Sequence, residues 1–423
     1  MTEINSFKGI VFNPEKNKDL FKVFCPPYDV ISKKDQEMYH KRSPENFIRI
    51  VLGKESSKDN DGDNKYTRAQ ETFNKWLKDG ILIKDSESCL YFYYQEYIYK
   101  GEKKSRLGFI GLLKLQDSLD SKIFPHENTH SEPKEDRLQL IKKVKANLSP
   151  IFVLFSDKQK MIQRIFDKYI ARTQPFIDIL DVEETKTKVW RLTDEETINR
   201  LKEYMQDKSI FIADGHHRYE VAQTFLSQLK KEREVGGKED FNYIMAYFTD
   251  LDSRDLQILP IHRVIRKASV SIEVLKEYFS FEKVKDKYAL FILLRKAGLA
   301  EHAYGLYQKS SFNLLRLNSS AHIEQTIPAG SSEFKKLDVS ALQYLILNKL
   351  GVQEKDLIYV KDEDEAMKMV DEDRAEFVFF LNPVKINQLR TIASGGERMP
   401  PKSTYFYPKL LSGVVINKFS SLD

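Results

Sequence analysis

The run from Ser209 to Leu229 constrains the fold most, because its apolar pattern changes period within a few residues. Ser209-Ile-Phe-Ile-Ala213 is a short apolar run, the pattern of a buried strand. After Arg218, Ala222, Phe225, Leu226 and Leu229 recur at helical spacing and share one helix face. Asp214, Gly215, His216, His217 and Arg218 therefore occupy a strand-to-helix turn. A helix N-terminus carries backbone N–H groups without intrahelical partners and a partial positive charge, which suits an anion and phosphate above all. Gly215 lets a backbone or ligand approach closely. Arg218 adds a forked cation matched to phosphate geometry. Asp214 is a carboxylate among cations, which points to a proton acceptor or to a bound metal ion, with Mg²⁺ the metal expected. The bland alternative is a polar turn whose Asp caps the helix.

Composition narrows the class of protein. A chain of 423 residues is long for one core and fits two or more domains. Hydrophobic residues make up 41% of it, enough for packed cores, yet no apolar run reaches the length of a membrane span. The N-terminal Met1-Thr-Glu-Ile-Asn-Ser lacks a signal-peptide pattern, so a cytoplasmic location is expected. Cys25 and Cys89 form no metal or redox spacing, which agrees with a reducing compartment. The net charge of +5 is small beside 68 basic and 63 acidic residues, and these are interspersed. A protein built to grip nucleic acid shows a basic face or tail, so nucleic acid is not an expected partner. Nothing in the sequence specifies an oligomeric state.

Along the chain, Tyr66, Ala69, Phe73, Trp76 and Leu77 mark an amphipathic helix, and 89–100 with 106–115 read as two strands around a Lys-Gly-Glu-Lys turn. The tyrosines at 91, 93, 94, 97 and 99 are expected to pack within that sheet. From 132 onward helix and strand patterns alternate, with a capping box at Thr193-Asp-Glu-Glu196, which argues for α/β layering. The composition changes after about residue 270. The expected organisation is a first domain over 1–268 carrying the turn, a smaller α/β domain over 269–395, and a C-terminal segment, 396–423, that returns to the site.

Three further groups carry chemistry. His126-Glu-Asn-Thr-His130 matches the H-E-x-x-H zincin pattern, which needs both histidines on one helix face with the Glu activating water. Pro125 before it and Pro133 after it leave little room for that helix. The same segment gathers His126, Glu127, Lys134, Asp136 and Arg137 within twelve residues, which suits acid–base work beside phosphate-binding cations. Glu127 is the first candidate for a general base and Asp29 the second; a salt-bridged loop and helix start is the plain alternative. Pro260-Ile-His-Arg263 follows a strand, which can bring His262 and Arg263 to the same rim. Gly395–Thr404 is glycine-rich and cationic but lacks P-loop spacing; Lys402, Ser403 and Thr404 are the candidates there, on a loop that either closes over a ligand or is held rigid by its prolines.

Five ordered blocks carry a resemblance: Phe7-Lys-Gly-Ile10 with Cys25-Pro-Pro-Tyr-Asp-Val-Ile31 and Asn46-Phe-Ile-Arg49; Pro125–Thr129 with Pro133–Leu138 and Ala146–Pro150; Ile210–Ala222; Ile258–Arg263; and Met399–Lys409. Together they resemble the DUF1015 family over nearly the whole chain. In that family's pattern His126, Glu127 and Thr129 recur and His130 does not. Gly215-His-His-Arg218-Tyr-Glu-Val-Ala222, with one residue more before Ala222, is similar to the phosphate-binding turn of the ParB/sulfiredoxin superfamily. That superfamily includes partition proteins, sulfiredoxin and free-serine kinases. The resemblance implies a mixed α/β fold, with a ParB/sulfiredoxin-like nucleotide-binding domain plus a smaller C-terminal α/β domain. It implies nucleotide-dependent phosphoryl transfer from ATP or ADP, with Mg²⁺, to a small hydroxyl-bearing metabolite such as free serine. Glu127, Asp214, His216 and His217 would be catalytic. Gly215, His216, His217, Arg218, Lys134, Arg137, Arg263, Lys402, Ser403 and Thr404 would hold the nucleotide. The alternatives are a nucleotide-binding regulatory or DNA-partition module without catalysis, and a metallohydrolase built on His126, Glu127 and His130.

Overall fold

The computed structural model of the chain describes residues 1–116, 121–129 and 131–422. It divides into two compact units. The larger comprises Met1–Phe124, Thr129–Leu256 and Pro408–Asp423; the smaller comprises Pro125–Asn128 and Gln257–Tyr407.

The larger unit is built on a nine-stranded mixed sheet. Its order runs Ile123–Pro125, Ile210–Asp214, Ile151–Phe155, Tyr243–Asp250, Glu102–Lys114, Leu90–Tyr99, Lys186–Leu192 and Ile177–Leu180, with Ile4–Asn5 also paired to Glu102–Lys114. Tyr243–Asp250 runs parallel to Ile151–Phe155 and antiparallel to Glu102–Lys114. The long hairpin of Leu90–Tyr99 and Glu102–Lys114 turns at Lys100 and Gly101, both at positive φ (52° and 79°), the backbone a tight hairpin needs. Tyr91, Tyr93 and Tyr97 are buried in this sheet.

Helices Ser131–Val144, Glu195–Met205 and His216–Glu232 supply Leu138, Ile141, Ile198, Leu201, Tyr219, Phe225 and Leu226 to one core with Phe92, Phe109, Val153 and Phe248 of the strands. The helix over 195–205 is capped by Asp194, whose side chain accepts the Thr197 N–H at 2.9 Å. The cap is therefore one residue later than the Thr193 box in the sequence, because Asp194 is the residue with extended backbone ahead of the first turn.

In the smaller unit a six-stranded sheet runs in the order Phe279–Val284, Ser311–Leu317, Ala303–Gln308, Phe377–Phe380, His262–Ile265 and Leu357–Val360, with antiparallel ladders. Helices Lys287–Ala297 and Glu363–Asp371 bury Leu290, Leu294, Ala366 and Val370 against Val264, Leu314, Val378 and Phe380. Gln257–Leu259 pairs separately with Tyr405–Tyr407. Apart from the short Pro125–Asn128 excursion, the change to the smaller unit falls at 256/257, and the terminal segment belongs to the larger unit from Pro408 onward.

Candidate phosphate site

The strand Ile210–Asp214 ends in a bulge against Ile151–Phe155, and the helix His216–Glu232 starts one residue later. Gly215 is the joint. Its φ is +93°, where an L side chain is strained, and a Cβ there would stand 2.8 Å from Ile151 Cγ2 and 3.0 Å from Arg218 Nη2. As the N-cap it offers no side-chain acceptor to the first turn. Tyr219 N–H closes the first helical bond on the Gly215 carbonyl at 2.9 Å. His216 is buried and His217 half-buried in that first turn.

Asp214 organises the turn. Arg218 Nη2 donates to its Oδ2 at 2.7 Å, and Lys409 Nζ pairs with its Oδ1. Arg218 Nη1 also donates to the Pro150 carbonyl. All three charged side chains are largely buried. Both Asp214 oxygens are thus engaged by cations. Among the described residues no group of three or more His, Cys, Asp or Glu is placed to hold a metal ion.

Lys409 is the residue that sequence reasoning missed; it closes the C-terminal block and lies 195 residues from Asp214. A buried clamp holds it. Arg106, 1% exposed, donates to the Pro408 carbonyl at 2.6 Å and to Gln95, and its guanidinium lies 4.5 Å from the Phe152 ring centroid. Gln95 in turn donates to the Lys409 carbonyl at 3.1 Å.

The Cys25–Ile31 block reaches the same electrostatic neighbourhood. Burial first, and then the Asp29 charge, pushes the Tyr28 hydroxyl well above its ordinary value, against the opposing charges of Arg137 and Arg218. The fully buried Asn46 holds this loop by donating to the carbonyls of Lys22 (2.7 Å) and Phe24 (3.1 Å). Cys25 is buried and its thiol is pushed up by desolvation, which is the opposite of an activated nucleophile.

Lys134 and Arg137 lie in the larger unit, on the helix Ser131–Val144. Lys134 Nζ is 3.3 Å from Glu220 Oε2, which also accepts the Thr129 hydroxyl at 2.6 Å. Arg137 donates to the Val51 carbonyl at 2.6 Å and to Asp136, and covers the Tyr28 ring at 4.2 Å. Burial alone would raise Asp136; Arg137 and Lys65 outweigh it and hold that carboxyl below its usual range.

Glu127, Arg263, Lys402, Ser403 and Thr404 fall in the smaller unit. Glu127 Oε1 accepts the Lys402 N–H at 2.8 Å, and Oε2 accepts the N–H groups of Ser403 and Thr404 at 3.1 and 3.4 Å. Burial raises its carboxyl above the ordinary value, opposed by Lys402 and these amides. Arg263 is buried, donates to the carbonyls of Ile261 (2.7 Å) and Lys402 (3.0 Å), and is lowered to about 10 by desolvation. Ser403 Oγ donates to the Pro400 carbonyl at 2.6 Å. Glu127 and Arg263 therefore brace the 400–404 loop from two sides. His126 shares a 3.0 Å hydrogen bond with Thr404 Oγ1. Residues 126–129 are not helical, whereas H-E-x-x-H chemistry is built on a helix; His130 lies outside the described residues. His262 is not on a rim. It is buried against Phe380 and accepts the Leu381 N–H on Nδ1 at 3.3 Å.

The chain is a member of the DUF1015 family, "Protein of unknown function (DUF1015)", whose pattern matches residues 4–340. Solved structures with some similarity include a free serine kinase mutant in complex with AMP, at 16% identity and a TM-score of 0.36, covering 67% of this chain and 84% of that one. A conserved hypothetical protein from Pyrococcus furiosus aligns at 16% identity and a TM-score of 0.37, covering 71% and 94%. SbnI with a C-terminal truncation, from Staphylococcus aureus, aligns at 9% identity and a TM-score of 0.38, covering 72% and 85%. None of the curated proteins compared with this chain matches it. No helix among the described residues is long and apolar enough to cross a membrane.

Proposed function

We propose that the larger unit binds the terminal phosphates of ATP or ADP on the first turn of His216–Glu232 and transfers a phosphoryl group to a small hydroxyl-bearing metabolite, with free serine the first acceptor to test. One observation carries this reading: Arg218 and Lys409 share a single carboxylate beside a helix that begins on glycine. Two cations on one anion leave a net positive cluster, and the helix N-terminus adds roughly half a charge more. The similarity of Gly215–Ala222 to the ParB/sulfiredoxin turn supports the same use. An arriving phosphate competes with Asp214 for both cations, so Asp214 keeps them in place until it arrives.

Phosphoryl transfer asks for positioning and charge neutralisation more than for covalent chemistry. The acceptor oxygen bonds to phosphorus, the bond from phosphorus to the nucleotide's bridging oxygen breaks, and the hydroxyl proton passes to a carboxylate. We assign that proton to Asp29. Both Asp214 oxygens are engaged by Arg218 and Lys409, and Glu127 accepts three backbone amides. No step is routed through a metal.

The test is product formation from ADP or ATP, Mg²⁺ and L-serine, read as a new phosphomonoester signal by ³¹P NMR. Asp29→Asn should retain nucleotide binding and lose about a hundredfold in turnover, the share of a general base. Nucleotide binding by the wild type with no transfer to any hydroxyl metabolite would favour a binding module instead.

A further inference from the structure

We propose that a second cleft in the larger unit, built from residues that take no part in the Asp214 turn, binds a small anion bearing phosphate groups. Its volume is about 390 Å³, and Lys41, Arg49, Lys54, Lys65 and Arg68 line it with Glu37 the one carboxylate among them. His40 and Lys41 come from the last turn of Lys33–Arg42, Arg49 from Ile48–Val51, and Lys65 and Arg68 from the start of Lys65–Lys78. Three helices thus bring cations to one concavity.

Not all of this charge is spent internally. Lys54 pairs with Glu37 at 2.7 Å. Lys65 pairs with Glu55 and Asp136, and Arg68 with Asp59 and Asp63, carboxylates that do not line the cleft. Lys41 makes no ion pair among the described residues. Arg49 donates from Nη2 to the His40 carbonyl at 2.9 Å, while its Nε is buried with no acceptor among the described residues. His40 Nε2 is buried in the same condition. Native proteins leave few buried donors unsatisfied, and the Arg49 Nε–H in this cationic cleft calls for an acceptor from outside. The His40 ring is pushed down to about 4, by burial first and then by the charges of Arg49 and Lys54, so it is neutral at pH 7. An oxyanion would receive Arg49 Nε–H, offset Lys41 and raise His40.

The lining selects the ligand class. Among the described residues no Phe, Tyr or Trp lines the cleft, so it lacks the large stacking surface that nucleobase binding uses. Its volume sits in the range of small-molecule pockets, and its cations face inward from three helices rather than along a stripe that would track a nucleic-acid backbone. Phosphate groups on a small metabolite, or inorganic phosphate itself, fit this chemistry through bidentate Arg and point-charge Lys contacts.

The experiment is calorimetric titration of the full chain with inorganic phosphate, pyrophosphate and ribose 5-phosphate at low ionic strength. It is run in an Arg218→Ala/Lys409→Met background, which removes both cations of the Asp214 turn, so that binding sensitive to Lys41 and Arg49 reports the second cleft. Binding of at least one probe is expected, and the probe that binds tells an inorganic from an organic phosphate. Lys41→Ala, at an exposed position that does not threaten folding, and Arg49→Gln should each weaken binding about tenfold or more. The ring of His40, followed by NMR, should titrate at higher pH once the probe is bound, and this shift should shrink in Lys41→Ala. No binding by any probe, or binding unchanged in Lys41→Ala and Arg49→Gln, overturns the proposal.

Discussion

Gly215→Ala probes the joint on which the site depends. The new side chain would sit at φ +93°, which costs an L residue about 1–2 kcal/mol. Its Cβ would also stand 2.8 Å from Ile151 Cγ2, a distance side-chain carbons do not tolerate, and Ile151 is fully buried in the sheet. Relieving that overlap adds about 1–3 kcal/mol. The expected loss is therefore about 2–5 kcal/mol. Both tryptophans, Trp76 and Trp190, lie in the larger unit and are buried, so tryptophan fluorescence in urea reports the unit that carries the turn. The midpoint should fall with little change in slope. Ile151→Ala removes the opposing methyl at its own cost. The double variant should lose less than the sum of the two single losses, by about 1 kcal/mol or more. A loss below about 1 kcal/mol for Gly215→Ala, or strict additivity with Ile151→Ala, would refute the reasoning.

Lys409→Met keeps the aliphatic stem and removes one of the two cations on Asp214; ADP affinity by calorimetry should fall about tenfold or more, and unchanged affinity would remove Lys409 from the site. Glu127→Gln replaces an acceptor oxygen with a donor facing the 402–404 amides, so hydrogen exchange at Lys402–Thr404 should accelerate about tenfold or more; unaltered exchange would show that the carboxylate does not brace the loop. His262 is pushed down to about 3, mainly by burial, from an ordinary value near 6.5. The unfolded chain therefore binds the extra proton between those values, and the smaller unit should lose stability as pH falls through that window, by up to about 5 kcal/mol. His262→Phe should flatten that part of the pH profile in urea unfolding followed by circular dichroism; an unchanged profile would contradict the burial argument.

The strand-turn-helix was legible because its signals are local: an unbroken apolar run, one glycine, then a helical period. The hairpin over 90–114 was legible for the same reason. What was not legible depends on distant partners. Lys409 meets Asp214 across 195 residues, and only the fold supplies Arg106 and Gln95 to hold it. Arg137 read as a phosphate cation, yet Val51, Asp136 and Tyr28 absorb its guanidinium. H-E-x-x-H has helical spacing on paper, but residues 126–129 are irregular and Glu127 turns to the amides of a loop 275 residues away. The unit boundary at 256/257 rather than near 268 reflects where the two cores separate, which composition does not mark.

Calorimetric titration of the wild-type chain and Arg218→Ala with ADP tests the phosphate site most directly. Arg218 contributes a charged hydrogen-bond donor at the start of the helix, so its loss should weaken binding by several-fold to about a hundredfold while the protein remains folded. Failure of the wild type to bind ADP or ATP, or equal affinity in Arg218→Ala, would contradict a phosphate site at the Asp214–Arg218 turn.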